Sequence, residues 1–298
     1  MNLLELSEPF LGRGRLYIEG GPRHLLMYIL GRFGPVRSFM VWRYSQRTTV
    51  PAAAATSSIV TTADLNDVVH KIRQDGYCTG LNLRPEVIEQ LLTFSSMATC
   101  YGEGNEEFPF HYRDRHEVQR RAGRRFRLGR YNHALTASHA LGALAKDEQL
   151  LAIARKYFRT EPVLVGARMW WSLAGEAGSE EKAGAGQSFH YDIDGYRGLA
   201  FFFYLTDVGQ AAGPHVYVRG THRKKSWKHL FTLYKGRTDA EIDDHYGPEN
   251  QVYLCGPAGS GFAEDIFGFH KGMSPESADR LIVQVRFGLR DYGTGWNE

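Results

Sequence analysis

Beyond Glu161 the chain is a series of short β-type runs broken by glycine, and this succession restricts the fold more than any other feature. The runs are Pro162–Leu173, Ser188–Tyr191, Leu199–Leu205, His215–Val218, Gln251–Leu254, Gly261–Ile266 and Arg280–Phe287. Many short strands separated by turns must bury one face each, which sandwiches and barrels achieve. A double-stranded β-helix of the jelly-roll, cupin-like kind is one such solution, and its lumen is the natural place for a site. Ahead of the strands the pattern is helical. Leu65, Val68, Val69 and Ile72 recur at helical spacing between a cap at Thr62 or Asp64 and a stop at Gly76, leading into a strand at Tyr77-Cys78-Thr79. A second helix starts at Pro85 and carries Val87, Ile88, Leu91 and Leu92; a third helical region covers Ser138–Phe158. Helices first and strands later predict an α+β chain with a mainly β core flanked by helices.

The small-residue stretch Pro51–Ser58 divides the chain. Residues 1–61 form an arginine-rich arm and linker, and residues 62–298 the β domain, with an insert near 232–250. Residues 1–63 hold seven arginines, no lysine and no acid after Glu19, a composition similar to a mitochondrial transit peptide. Glu5, Glu8 and Glu19 argue against that, so an anchored arm is the reading. Its apolar pieces Leu25–Leu30 and Phe39–Trp42 are expected to pack on the outside of the barrel or on a second subunit, which leaves room for a homo-oligomer. No candidate site residue precedes the linker, so truncation at Thr61 is expected to leave the site intact.

Composition narrows the partners. A net charge of +3 is too small to argue for nucleic acid. Three cysteines without C-x-x-C spacing support neither a disulfide framework nor a thiolate zinc site, and they suit a reducing compartment. The longest apolar runs fall far short of the roughly 20 residues that span a bilayer. A soluble, cytoplasmic chain without a membrane span is expected, acting on a small molecule.

His190-Tyr191-Asp192 puts an imidazole and a carboxylate at i and i+2, on one face of a strand. Alone, such a pair is as well explained by polar surface or a simple hydrogen bond. Two histidines and one carboxylate on one octahedral face leave three positions free, and the third ligand must come from a distant segment. His215, His222, His229, His245 and His270 all follow Asp192. His270 stands apart because Arg280 lies ten residues on, at the start of a strand-like run. Alternation there sets Leu281, Val283, Val285 and Phe287 on one face and Arg280, Ile282 and Gln284 on the other. Packing the aliphatic row outward turns Arg280 toward the lumen. A guanidinium fork there can hold a carboxylate bidentately.

His190-x-Asp192, then His270, then Arg280 resembles the Fe(II)/2-oxoglutarate-dependent dioxygenases, specifically the phytanoyl-CoA dioxygenase-like family. Leu205-Thr-Asp207, Gly213-Pro214 and Gly220-Thr221-His222 are similar to that family's strand, Gly-Pro turn and Gly-Ser-His ending. Asp75-Gly76-Tyr77 and the helix at Pro85 are similar to the start of its catalytic domain. The likeness covers about residues 62–289. Arg219 replaces a proline, Thr221 a serine, and Phe202 stands where the family often has a tryptophan beside the co-substrate. The resemblance implies Fe(II) held by His190, Asp192 and His270, 2-oxoglutarate clamped by Arg280, and O2 in the remaining position. It implies decarboxylation of 2-oxoglutarate to succinate and CO2 with hydroxylation, or another oxidation, of an unactivated C–H bond in a small organic substrate. Halogenating members leave the carboxylate position to a small residue, so Asp192 implies hydroxylation. Met169, Phe202 and Arg127 are further co-substrate candidates by the same resemblance. The alternatives are a non-enzymatic ligand- or partner-binding relative with a vestigial metal site, and a cupin that does not use 2-oxoglutarate, which Arg280 disfavours.

Residues 113–130 contain eight arginines against Asp114 and Glu117, read either as a solvated helix face or as a rim for an anionic substrate. On the run Pro162–Leu173, Met169 and Trp171 share one face and Arg168 and Trp170 the other, so one pair lines the lumen. Gly175–Gly186 reads as a mobile loop or a lid. Thr232–Asn250 reads as a short acidic helix over one barrel end, with His245 on its surface.

Overall fold

The computed structural model describes residues 21–45, 58–62, 64–175, 188–232 and 236–293. The expected lid lies, beyond Gly175, outside the described residues, as do the first 20 residues of the arm and most of the linker. The strands in chain order are β1 (Val60–Thr61), β2 (Tyr77–Leu83), β3 (Cys100–Gly102), β4 (Pro109–Phe110), β5 (Leu128–Arg130), β6 (Val163–Ser172), β7 (Gly198–Tyr204), β8 (His215–Val218), β9 (Gln251–Leu254), β10 (Ser260–Asp265), β11 (His270–Gly272) and β12 (Arg280–Gly288). All pairings are antiparallel. One sheet runs β1-β2-β10-β7-β12-β6-β5-β3-β4 and a second runs β11-β8-β9.

β7 and β12 lie inside the larger sheet and are buried along their whole lengths; β7 reads as a continuous apolar run, whereas β12 places the polar side chains Arg280, Gln284 and Arg286 on its cavity face. Alternation assigns their side chains to two interiors. Phe201, Phe203, Val283 and Val285 join the cluster that includes Val68, Ile72, Ile153 and Phe158 from the helices behind the sheet. Phe202, Tyr204 and Ile282 instead face the smaller sheet, meeting Tyr217 and Leu254. Two antiparallel sheets enclosing an interior, with helices against the back of the larger one, make the α+β jelly roll that the strand pattern predicts.

Helix Leu65–Asp75 is capped by Asp64, whose carboxylate accepts from the backbone N–H groups of Asn66 and Asp67 at 3.0 and 3.1 Å. It stops at Gly76, where φ is 93° and a Cβ would meet the Tyr217 hydroxyl at 2.3 Å, so glycine is required twice over. The region Ser138–Phe158 is broken into His139–Leu144 and Glu148–Phe158. The break places Asp147 to cap the second helix while its carboxylate also accepts from Ile59 N and Ser58 Oγ, both at 2.8 Å, fastening the end of the linker.

The arm contributes helices Gly21–Leu30 and Gly34–Ser45, and it docks on this chain's own barrel. Arg37 carries the docking. Its Nε donates to Tyr196 O at 2.9 Å, Nη1 to His222 O at 3.2 Å and Nη2 to Asp265 Oδ1 at 3.4 Å, with the guanidinium 3.7 Å from the Phe267 ring. The insert folds as helix Asp239–Tyr246 behind a Thr238/Glu241 capping box, and Asp239 receives Lys271 Nζ at 2.7 Å. No helix among the described residues is long and apolar enough to cross a membrane.

Candidate metal centre

His190 and His270 sit on facing segments zipped by two backbone hydrogen bonds, His190 N to His270 O at 2.9 Å and His270 N to His190 O at 2.8 Å. Asp192 N–H donates to Ile266 O at 2.8 Å and fixes the carboxylate beside them. The imidazoles meet edge to face at 4.4 Å, and one ligand atom from each of His190, Asp192 and His270 lies within 4.8 Å of the others. Nδ1 of His190 lies 2.9 Å from Ser188 O, and Nδ1 of His270 lies 3.0 Å from Gly268 O. A carbonyl only accepts, so both Nδ1 atoms carry the proton and both Nε2 lone pairs are left for a metal. Burial pushes the His270 pKa down to about 4, which keeps the ring neutral. Arg286 Nη2 donates to Asp192 Oδ2 at 3.0 Å and its Nη1 to Asp194, orienting the carboxylate from behind.

These residues line a cavity of about 240 Å³ together with Phe202, Trp170, Ser172, His215, Arg280 and Gln284. Arg280 is buried; Nη2 donates to Ser172 Oγ at 3.0 Å, whereas Nε and Nη1 are buried without a hydrogen-bond partner among the described residues. Burial lowers its pKa, the electrostatic sign of a cation kept from water. Orphaned donors at Nε and Nη1 of a desolvated guanidinium call for an anionic acceptor, which a carboxylate supplies. The residues present therefore fit both groups that the sequence implies, a divalent metal on the triad and a carboxylate on Arg280.

Strand parity sorts the other candidates. Phe202 faces the cavity and stacks on Phe262 at 4.9 Å. Met169 is corrected: it pairs with Val283 in the register of β6 and β12 and packs into the apolar cluster behind the sheet, so Arg168 and Trp170 are the pair that line the cavity. Arg127 also falls outside the lining, because on β5 and its approach only Leu128 and Arg130 face inward. Arg286 could have been found from sequence, since it continues the face of Arg280, Ile282 and Gln284. Glu264 could not. It is fully buried, its Oε2 lies 2.8 Å from His215 Nε2, and its Oε1, which lacks a hydrogen-bond partner, lies 3.8 Å from His270 Nδ1.

Burial also holds His222 at about 4 and pushes Glu264 up to about 7. A histidine neutral in the fold but protonated near 6.5 when unfolded stabilises above 6.5 and loses that contribution as pH falls toward 4. Glu264 works oppositely, stabilising at low pH and losing its share as pH rises through 7. Burial depresses His215 and His229 as well, so between pH 6.5 and 4.5 the unfolded chain comes to hold four imidazole protons that the fold excludes, against the one carboxyl proton that the fold holds on Glu264. Stability of the metal-free protein should then fall with pH, by about 1.4 kcal/mol per pH unit for each net proton. Chemical denaturation across that range checks this; a flat or rising profile would mean that the imidazoles are charged in the fold.

No family model and no curated protein matches this chain. Solved structures do. HygX from Streptomyces hygroscopicus with nickel and 2-oxoglutarate bound is similar at TM-score 0.53 and 14% identity, over 76% of this chain and 87% of that one. The epimerase SnoN in complex with Fe3+, alpha ketoglutarate and nogalamycin RO is similar at TM-score 0.52 and 14% identity, over 78% and 88%. The chain thus has the fold of iron/2-oxoglutarate-dependent oxygenases.

Proposed function

We propose that this chain is an Fe(II)- and 2-oxoglutarate-dependent oxygenase that hydroxylates an unactivated C–H bond of a small, anionic organic molecule. One observation carries the reading: two imidazoles and a carboxylate converge in the same cavity as a buried arginine whose Nε and Nη1 are unpartnered among the described residues. Iron with 2-oxoglutarate and O2 supplies the oxidising power when bound. The chain's residues do the rest. His190, Asp192 and His270 hold the metal on one face, Arg286 aims Asp192, and Arg280 orients the far carboxylate of 2-oxoglutarate. Phe202 and Trp170 wall the cavity from water. Arg130 and Arg168 also line it, and burial together with Arg130 holds Arg168 down to about 9, so the field inside favours an anion.

Asp192 occupies the position a halide would need, which favours hydroxylation over halogenation. An epimerase shares this fold, so the product decides between the two outcomes: hydroxylation adds one oxygen to the substrate mass, epimerisation none. The phytanoyl-CoA dioxygenase-like sequence pattern is consistent with the proposal, and three free cysteines suit a cytoplasmic setting.

The test is Arg280. Leucine there should weaken 2-oxoglutarate binding by roughly 100-fold or more, whereas lysine, which keeps the charge and loses the planar fork, should cost about tenfold. Calorimetry with 2-oxoglutarate on the metal-loaded protein reads both, and succinate release reports turnover. Unchanged 2-oxoglutarate dependence in Arg280→Leu would refute the assignment.

A further inference from the structure

The eight arginines of residues 113–130 separate by environment. Arg113, Arg120 and Arg121 have side chains 77, 76 and 78% exposed and are solvated. Arg130 lines the metal cavity and Arg127 is buried away from it. Arg115, Arg124 and Arg125 border a separate groove of about 500 Å³, together with His116, Gln119 and Asp279. Helix Arg115–Ala122 ends at Gly123, where φ is 62°, and Arg124 N–H turns back to Gln119 O. That reversal sets Arg124 and Arg125 alongside the residues of the helix.

Among the described residues, charge in the groove does not cancel. Asp279 already accepts from Arg115 Nε at 2.9 Å, Tyr112 Oη at 2.8 Å and Ala174 N at 2.7 Å. Arg120, at the edge, pairs with Glu117. Arg124 lies near the Phe108 and Phe126 rings, 5.4 and 5.8 Å from their centroids, and Arg125 Nη2 donates to Ala174 O at 3.2 Å. Neither has a carboxylate partner among the described residues. The groove also begins where the cavity ends: Ser172 and Arg280, paired across β6 and β12, line the cavity, and Ala174 and Asp279 just beyond them line the groove.

We propose that this groove binds a phosphate-type oxyanion, with Arg124 and Arg125 as its principal donors. Two guanidinium forks backed by Arg115 and His116 match a tetrahedral dianion, which accepts several N–H groups at once, better than a single carboxylate, which one fork satisfies. The volume exceeds that of a phosphate and leaves space for the organic part of an ester.

The measurement is calorimetric titration of the full-length, metal-free protein with inorganic phosphate and with phenyl phosphate. Omitting metal and 2-oxoglutarate makes the outcome independent of the oxygenase reading. Arg124→Gln/Arg125→Gln should weaken binding of the tighter probe by roughly tenfold or more. The control Arg113→Gln/Arg121→Gln removes the same charge from the solvated face and should stay within about twofold. Arg124→Lys/Arg125→Lys, which keeps the charge, should fall between the two. Tighter binding of phenyl phosphate assigns the site to an ester, and equal or tighter binding of inorganic phosphate assigns it to the free ion. Absence of binding by wild type, or equal losses in the control and the test pair, would overturn the proposal.

Discussion

On the proposed function, Asp192→Ala should abolish metal binding. The substitution deletes the one anionic ligand of the triad, and two imidazoles on adjacent segments then face a cation alone. Affinity for Fe(II) or Co(II) should fall by more than about 100-fold, and succinate formation should fall to background. A second consequence follows from Arg286. It is buried and bonded to both Asp192 and Asp194, so removing Asp192 leaves its guanidinium with one fewer anion in a desolvated place. Asp192→Asn separates the two effects, since the amide keeps the shape while losing the charge. Metal content after dialysis and calorimetric metal titration check the first effect, and denaturant unfolding the second. Retained metal with full succinate output in Asp192→Ala would eliminate the triad.

Arg37→Met should cost about 3–5 kcal/mol of stability, the range for breaking a buried ion pair from one side. Arg37 joins four segments: the arm, the chain after Asp192 through Tyr196, the turn at His222, and the β10–β11 turn through Asp265 and Phe267. Burial alone would raise the Asp265 pKa, yet Arg37, His222, Arg197 and Tyr157 outweigh it and hold the carboxyl below its usual range. Asp265 in turn accepts from Phe267 N at 2.9 Å and from Tyr157 Oη at 2.5 Å, shaping the turn that delivers His270. Loss of Arg37 should therefore lower metal affinity as well as the denaturation midpoint, and Arg37→Lys should restore part of each. The sequence-based expectation that truncation at Thr61 spares the site is revised on the same ground, because truncation removes Arg37. Wild-type stability and metal affinity in Arg37→Met would show the arm to be an accessory after all.

That His190 shares a face with Asp192, and Arg280 with Gln284, was legible because strand alternation is a local property. A period of two states which residues share a face whatever the strand packs against, so His190 with Asp192, and Arg280 with Gln284, could be grouped from spacing. The same reasoning could group Met169 with Trp171 without saying which side was inward. That choice depends on which face of β6 the helices cover, and packing against Val283 and its neighbours placed Met169 behind the sheet.

Alternation and turn residues in the chain itself were enough to dictate a glycine-punctuated β core, its preceding helices and the faces on which ligand-type residues lie. Tertiary structure alone decided that Glu264 meets His215 across 49 positions, that Arg37 meets Asp265 across 228, and that Arg124 and Arg125 border a groove while Arg113 and Arg121 meet solvent. The physical reason is range. Backbone geometry repeats over a few residues and can be read from them, whereas a buried charge chooses its partner only when the packed core removes water and brings distant segments within hydrogen-bond reach.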